Sequence, residues 1–148
     1  MTAVTLRAAT DADAPAIAAV FLEARRAMTY LPVVHTDNEA APHFYEMVMR
    51  SEVLVAERDG LVIGFAAVHD GWLDHVNVHL SFQSAGIGSR LIAWAQGISP
   101  TGLDLWVFQR NTRAHALYLS HGWRDVLSTD GDNEEGQPDI RMRWEPTG

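Results

Sequence analysis

The sequence predicts an α/β domain: a mixed, mostly antiparallel sheet of about seven strands with helices on both faces. Three observations carry that reading. Short alternating apolar runs are interleaved with longer runs whose apolar residues recur at helical spacing. Asp-Gly pairs join neighbouring strand-like runs, the signal of antiparallel hairpins. One strand–helix–strand passage, residues 73–108, requires a parallel pair at the centre.

The elements follow in order. Residues 4–8 (VTLRA) alternate and open the chain as a strand. Asp11 and Asp13 precede Pro15, and Ile17, Val20, Phe21 and Ala24 share a face, so a capped amphipathic helix reaches about Met28. TYLPVVH, with Pro32, is a loop. Thr36 and Glu39 form a T-x-x-E capping box for a second helix carrying Phe44, Met47 and Val48 on one side. Residues 53–56 and 61–68 are apolar strands around Arg58-Asp59-Gly60, and Asp70-Gly71-Trp72 turns the chain into a strand over 73–80. A helix over about 87–96 is stopped by Gly97 and Pro100. LDLWVF is the next strand, and Asn111 then caps a helix bearing Ala114, Leu117 and Tyr118 that ends at Gly122. Two final strands, 123–128 and 140–144, flank the polar loop TDGDNEEGQPD. No repeat or linker interrupts the 148 residues, so a single domain over 1–148 is expected.

Composition narrows the function. Hydrophobic residues make up 47% and charged residues 20%, an ordinary globular balance. No run is long enough to span a membrane, and the start lacks a basic segment followed by an apolar one, so a cytoplasmic protein without membrane contact is expected. The absence of cysteine excludes disulfides, thiolate metal sites and a cysteine nucleophile. A net charge of −8 argues against general nucleic-acid binding. It serves solubility and mildly favours a cationic partner by steering.

No metal is expected either. The histidines form no H-E-x-x-H, and His75 and His79 would stand ~13 Å apart on a strand rising ~3.3 Å per residue. Asp130-Gly131-Asp132-Asn133-Glu134 imitates the start of a calcium loop. It lacks the glycine at the sixth position, and Arg141 occupies the place of the closing glutamate. It reads as a solvated acidic loop, with recognition of a cationic substrate as the alternative.

The most informative stretch is VNVHLSFQSAGIGSRLIAW, where a strand-like run passes through QSAGIGS directly into a helix. Free amides at a helix start, together with the helix dipole, suit a phosphate. Gly86 and Gly88 let the backbone approach a ligand, although any short loop also needs glycine for steric reasons. GSR fails the G-K-[ST] of a P-loop, and Leu91 stands where a Rossmann fingerprint needs Gly or Ala.

The wider pattern is V-x-x-x-x-Q-x-x-G-x-G (Val78, Gln83, Gly86, Gly88), then NTRAHALYLSHGW with Asn111, Ala114, Tyr118 and Gly122-Trp123. In this the chain resembles the GNAT superfamily of acyl-CoA-dependent N-acetyltransferases. LRAATDADAPAIAAVF resembles that family's opening strand and helix, and VAERDGLVIGFAAV its central hairpin. Leu80, Ser84 and Trp123 depart from the commoner proline, glycine and phenylalanine, and none of these changes removes a backbone donor.

The resemblance implies that the central parallel pair splays apart and that acetyl-CoA lies in the gap as co-substrate. The amides of Ser84, Ala85, Gly86, Ile87, Gly88 and Ser89 would hold the pyrophosphate, in the loop opened by Gln83. Main-chain groups of Val76, Asn77 and Val78 would bind the pantetheine arm and polarise the acetyl carbonyl. Asn111 would hydrogen-bond the cofactor, a role compatible with plain N-capping. Tyr118 would supply a proton or hydrogen bond to the departing thiolate; the alternative is a core tyrosine.

The acceptor's ammonium must lose a proton. His75 ranks first as base because an unperturbed imidazole titrates near neutrality, and Asp74 ranks second, on the opposite face of the strand. Water and a purely structural histidine are the alternatives. The family also places the acceptor near the segment between the first two helices, which contains Thr29, Tyr30, His35 and Asp37. Tyr30 and His35 are the candidate substrate-binding residues. The implied activity is transfer to a small-molecule or peptide amine in a ternary complex, and a homodimer is compatible with it. The rivals are a cofactor-sensing module of the same fold without turnover and an unrelated phosphate binder.

Overall fold

The computed structural model describes residues 3–28, 37–133 and 135–146. Among them, seven strands and four helices follow the predicted order. β1 (Thr5–Ala8) leads to α1 (Ala14–Ala27) and α2 (Asp37–Arg50). The strands β2 (Glu52–Arg58), β3 (Leu61–His69) and β4 (Trp72–Val78) come next, then α3 (Ile87–Gly97), β5 (Leu103–Phe108), α4 (Thr112–Ser120), β6 (Arg124–Ser128) and β7 (Asp139–Trp144). The sheet order is β1-β2-β3-β4-β5-β7-β6, with β4–β5 the parallel pair and the other neighbours antiparallel. Thr36, half of the expected capping box of α2, lies outside the described residues, as do Thr29, Tyr30 and His35.

Both Asp-Gly hairpins form. Asp59 and Gly60 have φ of 54° and 76°, and Asp70 and Gly71 have 48° and 80°. Two successive positive φ values give the type I′ twist that matches the flanking strands, and Asp and Gly tolerate that region best. β3 is buried along almost its whole length, between β2 and the middle strand β4.

The two sheet faces carry separate cores. Ile87, Leu91 and Ile92 of α3 and Tyr118 of α4 pack with Leu103, Leu105 and Met142 on one side. Ile17, Val20, Phe44 and Met47 of α1 and α2 pack on Val55 and Phe65 on the other. On that second face the rings of Phe21, Phe44 and Phe65 form a chain, with centroids 4.9 and 5.7 Å apart.

Two departures from regular sheet geometry position the site. β4 and β5 share one ladder position, Trp72 with Asp104, reinforced by the Asp104 amide donating to the Gly71 carbonyl at 2.9 Å. Beyond that point the two strands are unpaired. Their outer ladders continue, β3–β4 to Gly64 with Val78 and β5–β7 to Phe108 with Asp139. The gap is therefore confined to the parallel junction.

The second departure corrects the strand expected over 73–80, which ends at Val78 and gives way to a 3₁₀ turn, Leu80–Ala85. The cause is His79. Its amide donates to the Ile63 carbonyl at 2.7 Å, while its Nδ1 accepts the Ser81 amide at 3.1 Å. A side chain that satisfies a nearby amide offers the backbone an alternative to the ladder. The imidazole Nε2 meets Glu23 of α1 at 2.9 Å, and the other Glu23 oxygen accepts the Leu80 amide at 3.2 Å. The start of the loop is thereby fastened to α1.

Candidate active site

A cavity of about 670 Å³ occupies the gap, bounded by β4 and its loop, by α4, and by the C-terminal turn of α1 through Ala24, Ala27 and Met28. Val76, Asn77 and Val78 all line it. Strand alternation separates their main chains. Because the His79 amide turns toward β3, the N–H and C=O of Val76 and Val78 turn toward the cleft and those of Asn77 toward β3. The Val78 carbonyl is reached from the cleft side by Gln83 Nε2 at 3.4 Å. Of the expected main-chain contacts, Val76 and Val78 hold the cleft-facing groups.

The loop reaches α3 through Gly86, whose φ of 76° explains the glycine: the conformation is left-handed, and a Cβ there would otherwise meet open space. Gly86 offers α3 no side-chain cap, so the first amides of the helix have no cap from that side chain. A Cβ on Gly88 would stand 3.4 Å from Leu117 Cδ2 and 4.0 Å from Val78 Cγ2, between the two walls. This glycine keeps the cleft open. Gly86, Gly88, Ser89 and Gln83 line the cavity, while Ile87 is anchored in the core and Ser84 and Ala85 belong to the 3₁₀ turn.

On the facing wall, Asn111 caps α4 by accepting the Ala114 amide through Oδ1 at 3.3 Å, and it also lines the cavity. Tyr118 lines it as well, its ring 5.7 Å from that of Trp123. Only 9% of the residue is exposed, and burial pushes the phenol well above its ordinary pKa. It keeps its proton at any physiological pH, and a protonated phenol can donate a hydrogen bond.

His75 and Asp74 do not line the cleft. His75 is wedged among Phe21, Phe44 and Phe65 with ring centroids 5.6, 5.4 and 5.7 Å away. Burial, helped by His43 and Arg25, lowers its pKa from 6.5 to about 4. At neutral pH it is an uncharged imidazole in an aromatic nest. Asp74 is exposed at the register shift between β3 and β4, and its carboxyl pKa is raised by desolvation, with His69 partly opposing.

The nest has a consequence for stability. The unfolded chain takes up a proton at His75 near 6.5 while the folded chain resists until about 4, so stability is full above 6.5 and falls as pH drops through that window. Denaturant melts should show an acid-side loss of up to about 3 kcal/mol. His75→Phe should flatten it; an identical pH dependence in the variant would contradict the placement.

Three residues of this region escape a linear reading. Arg113, in the first turn of α4, lines the cleft and donates to Gln83 Oε1 at 3.1 Å and to the Gln83 carbonyl at 2.9 Å. Arg25 lies over Phe21 and Phe108 and pairs at 3.2 Å with Glu135, which pins the β6–β7 loop to α1. That loop is knitted internally by Asn133, which donates to the Gln137 carbonyl at 2.6 Å and to Asp139 at 3.0 Å. No described helix is long and apolar enough to cross a membrane.

Known proteins agree with this architecture. The structure of YncA from Salmonella typhimurium with its cofactor acetyl-CoA matches at TM-score 0.77 and 19% identity, over 97% of this chain and 94% of that one. An acetyltransferase of the GNAT family from Bacillus cereus matches at 0.78 and 14%, over 99% of both. Ribosomal-protein-alanine N-acetyltransferase from Brucella melitensis matches at 0.74 and 22%, over 96% and 99%. At such identities the likeness is one of fold. No curated protein sequence matches the chain. The family model of the acetyltransferase (GNAT) domain matches residues 49–125, from the end of α2 to the start of β6, and the chain belongs to the GNAT acetyltransferase family.

Proposed function

We propose that the protein transfers an acetyl group from acetyl-CoA to a primary amine by direct attack in a ternary complex. The observation that carries this reading is the cleft itself. Cleft-facing main chain at Val76 and Val78 and the start of α3 form one wall, and a buried, protonated phenol stands on the other. The Val76 and Val78 main chain aligns the pantetheine arm and polarises the thioester carbonyl. The amine nitrogen attacks that carbon, the C–N bond forms, and collapse of the tetrahedral centre breaks the C–S bond, the extra proton on nitrogen passing to the departing sulfur to give the free thiol. Tyr118 donates a hydrogen bond to the departing sulfur. With its pKa raised, the phenol stabilises the thiolate and keeps its own proton.

The ammonium proton of the acceptor is assigned to water, because His75, the first-ranked base, is buried off the cleft with a pKa of about 4 and Asp74, ranked second, lies off it as well. An acidic limb of kcat/KM that is unshifted in His75→Gln would support this assignment, and a limb that vanishes would return the role to His75. Tyr30, His35 and the Glu135 loop are proposed to border the acceptor.

One observation favours the sensing alternative: among the described residues, no carboxylate or imidazole lines the cleft. An amine panel assayed for acetyl-CoA-dependent thiol release separates the two. Release with at least one amine supports transfer. Thermal stabilisation by CoA without release from any amine supports sensing, and stabilisation by ATP or NAD but not CoA contradicts both.

A further inference from the structure

We propose that Arg113 recognises a phosphate ester of the cofactor, as a cation built into the rim of the cleft; this rests on the acetyl-CoA reading above. Among the described residues that line the cavity, Arg113 is the one that is charged. Its guanidinium is oriented by neutral partners, the side-chain and main-chain oxygens of Gln83. Arg7, Arg25, Arg124, Arg141 and Arg143 each pair with a carboxylate, whereas Arg113 pairs with none among the described residues. In a chain of net charge −8 that leaves an uncompensated cation at the cleft.

Its position is also unfavourable for the helix. Arg113 is the second residue of α4, where the macrodipole disfavours a cation and no acidic residue of the first turn offsets it. A local cost of this kind fits a group kept for an external anion. Gln83, in turn, donates to the Val78 carbonyl, so the chain Arg113–Gln83–Val78 runs from α4 to the end of β4 at the cleft. The guanidinium is thus held in place before any ligand arrives, and its remaining N–H donors fit phosphate oxygens.

The test compares wild type, Arg113→Gln and Arg113→Lys with acetyl-CoA, acetyl-3′-dephospho-CoA and phosphate-free S-acetylpantetheine. Arg113→Gln should raise KM for acetyl-CoA by roughly 10- to 100-fold, as expected for a lost charge-assisted contact. Its kcat/KM for S-acetylpantetheine should fall by a clearly smaller factor, the part due to the loss of a partner for Gln83. Arg113→Lys should fall between, because it retains charge but not the planar fork. A penalty that persists with the dephospho compound assigns the diphosphate, and one that disappears assigns the ribose phosphate. An equal loss with S-acetylpantetheine would show that Arg113 acts only by holding Gln83, and no loss on any donor would show that it does nothing; either overturns the inference alone. A wild type that neither turns over acetyl-CoA nor is stabilised by CoA overturns the underlying reading as well.

Discussion

Tyr118→Phe should lower kcat by more than about tenfold while leaving the affinity for acetyl-CoA unchanged, the effect expected when a hydrogen bond to a charged group of about 1.5–3 kcal/mol is lost. The asymmetry follows from charge. The thioester sulfur is neutral in the ground state and becomes anionic only as the C–S bond breaks, so the phenol is worth most in the transition state. Phenylalanine keeps the ring against Trp123 and the packing of α4 on the sheet, so the fold survives. Pre-steady-state thiol release, paired with CoA affinity by calorimetry, makes the measurement. An unchanged turnover would remove Tyr118 from the mechanism and leave it a core tyrosine.

Gly88→Val should weaken CoA binding by about 10- to 100-fold with the domain still folded, because overfilling a packed site typically costs about 1–3 kcal/mol. The first carbon of the new side chain already touches Leu117, so its branches must enter the cleft or push α4 away. Gly88→Ala should sit between the two, since a single Cβ at 3.4 Å from a flexible leucine terminus is accommodated by a small shift. Gly86→Ala tests a different cause: no atom lies within 4 Å of that Cβ, and the only penalty is the left-handed φ. Equal affinities for Gly88→Val and wild type would mean that the cleft is not where the cofactor lies.

The architecture was legible wherever a local feature has one cheap solution. Asp59-Gly60 and Asp70-Gly71 dictate type I′ hairpins, and Asn111 dictates the start of α4. The crossover over residues 73–108 dictates the parallel pair. The 3₁₀ turn after Val78 was hidden because alternation continues through Leu80 and Phe82. What breaks the strand is a side chain, His79, whose partners Glu23 and Ser81 lie at different sequence separations.

The site shows the same division. Glycines, the capping asparagine and the buried tyrosine were visible as motif positions. The aromatic nest of His75 was not, because Phe21, Phe44 and Phe65 come from α1, α2 and β3 and meet only in the folded core. An unperturbed imidazole made His75 the natural base on paper; three phenyl rings make it a neutral one with a pKa of about 4. Arg113 was passed over because a first-turn arginine reads as helix surface until Gln83, thirty positions away, is seen holding it.

Amide NMR during titration with CoA addresses the central claim, that main-chain groups at the β4–α3 junction hold the cofactor's diphosphate. The account predicts that the largest shifts fall on the amides of Gly86, Ile87, Gly88 and Ser89, with Val76 and Val78 following only when the pantetheine arm is present. Saturation of binding with those amides unmoved, and perturbations gathered elsewhere on the sheet, would contradict it.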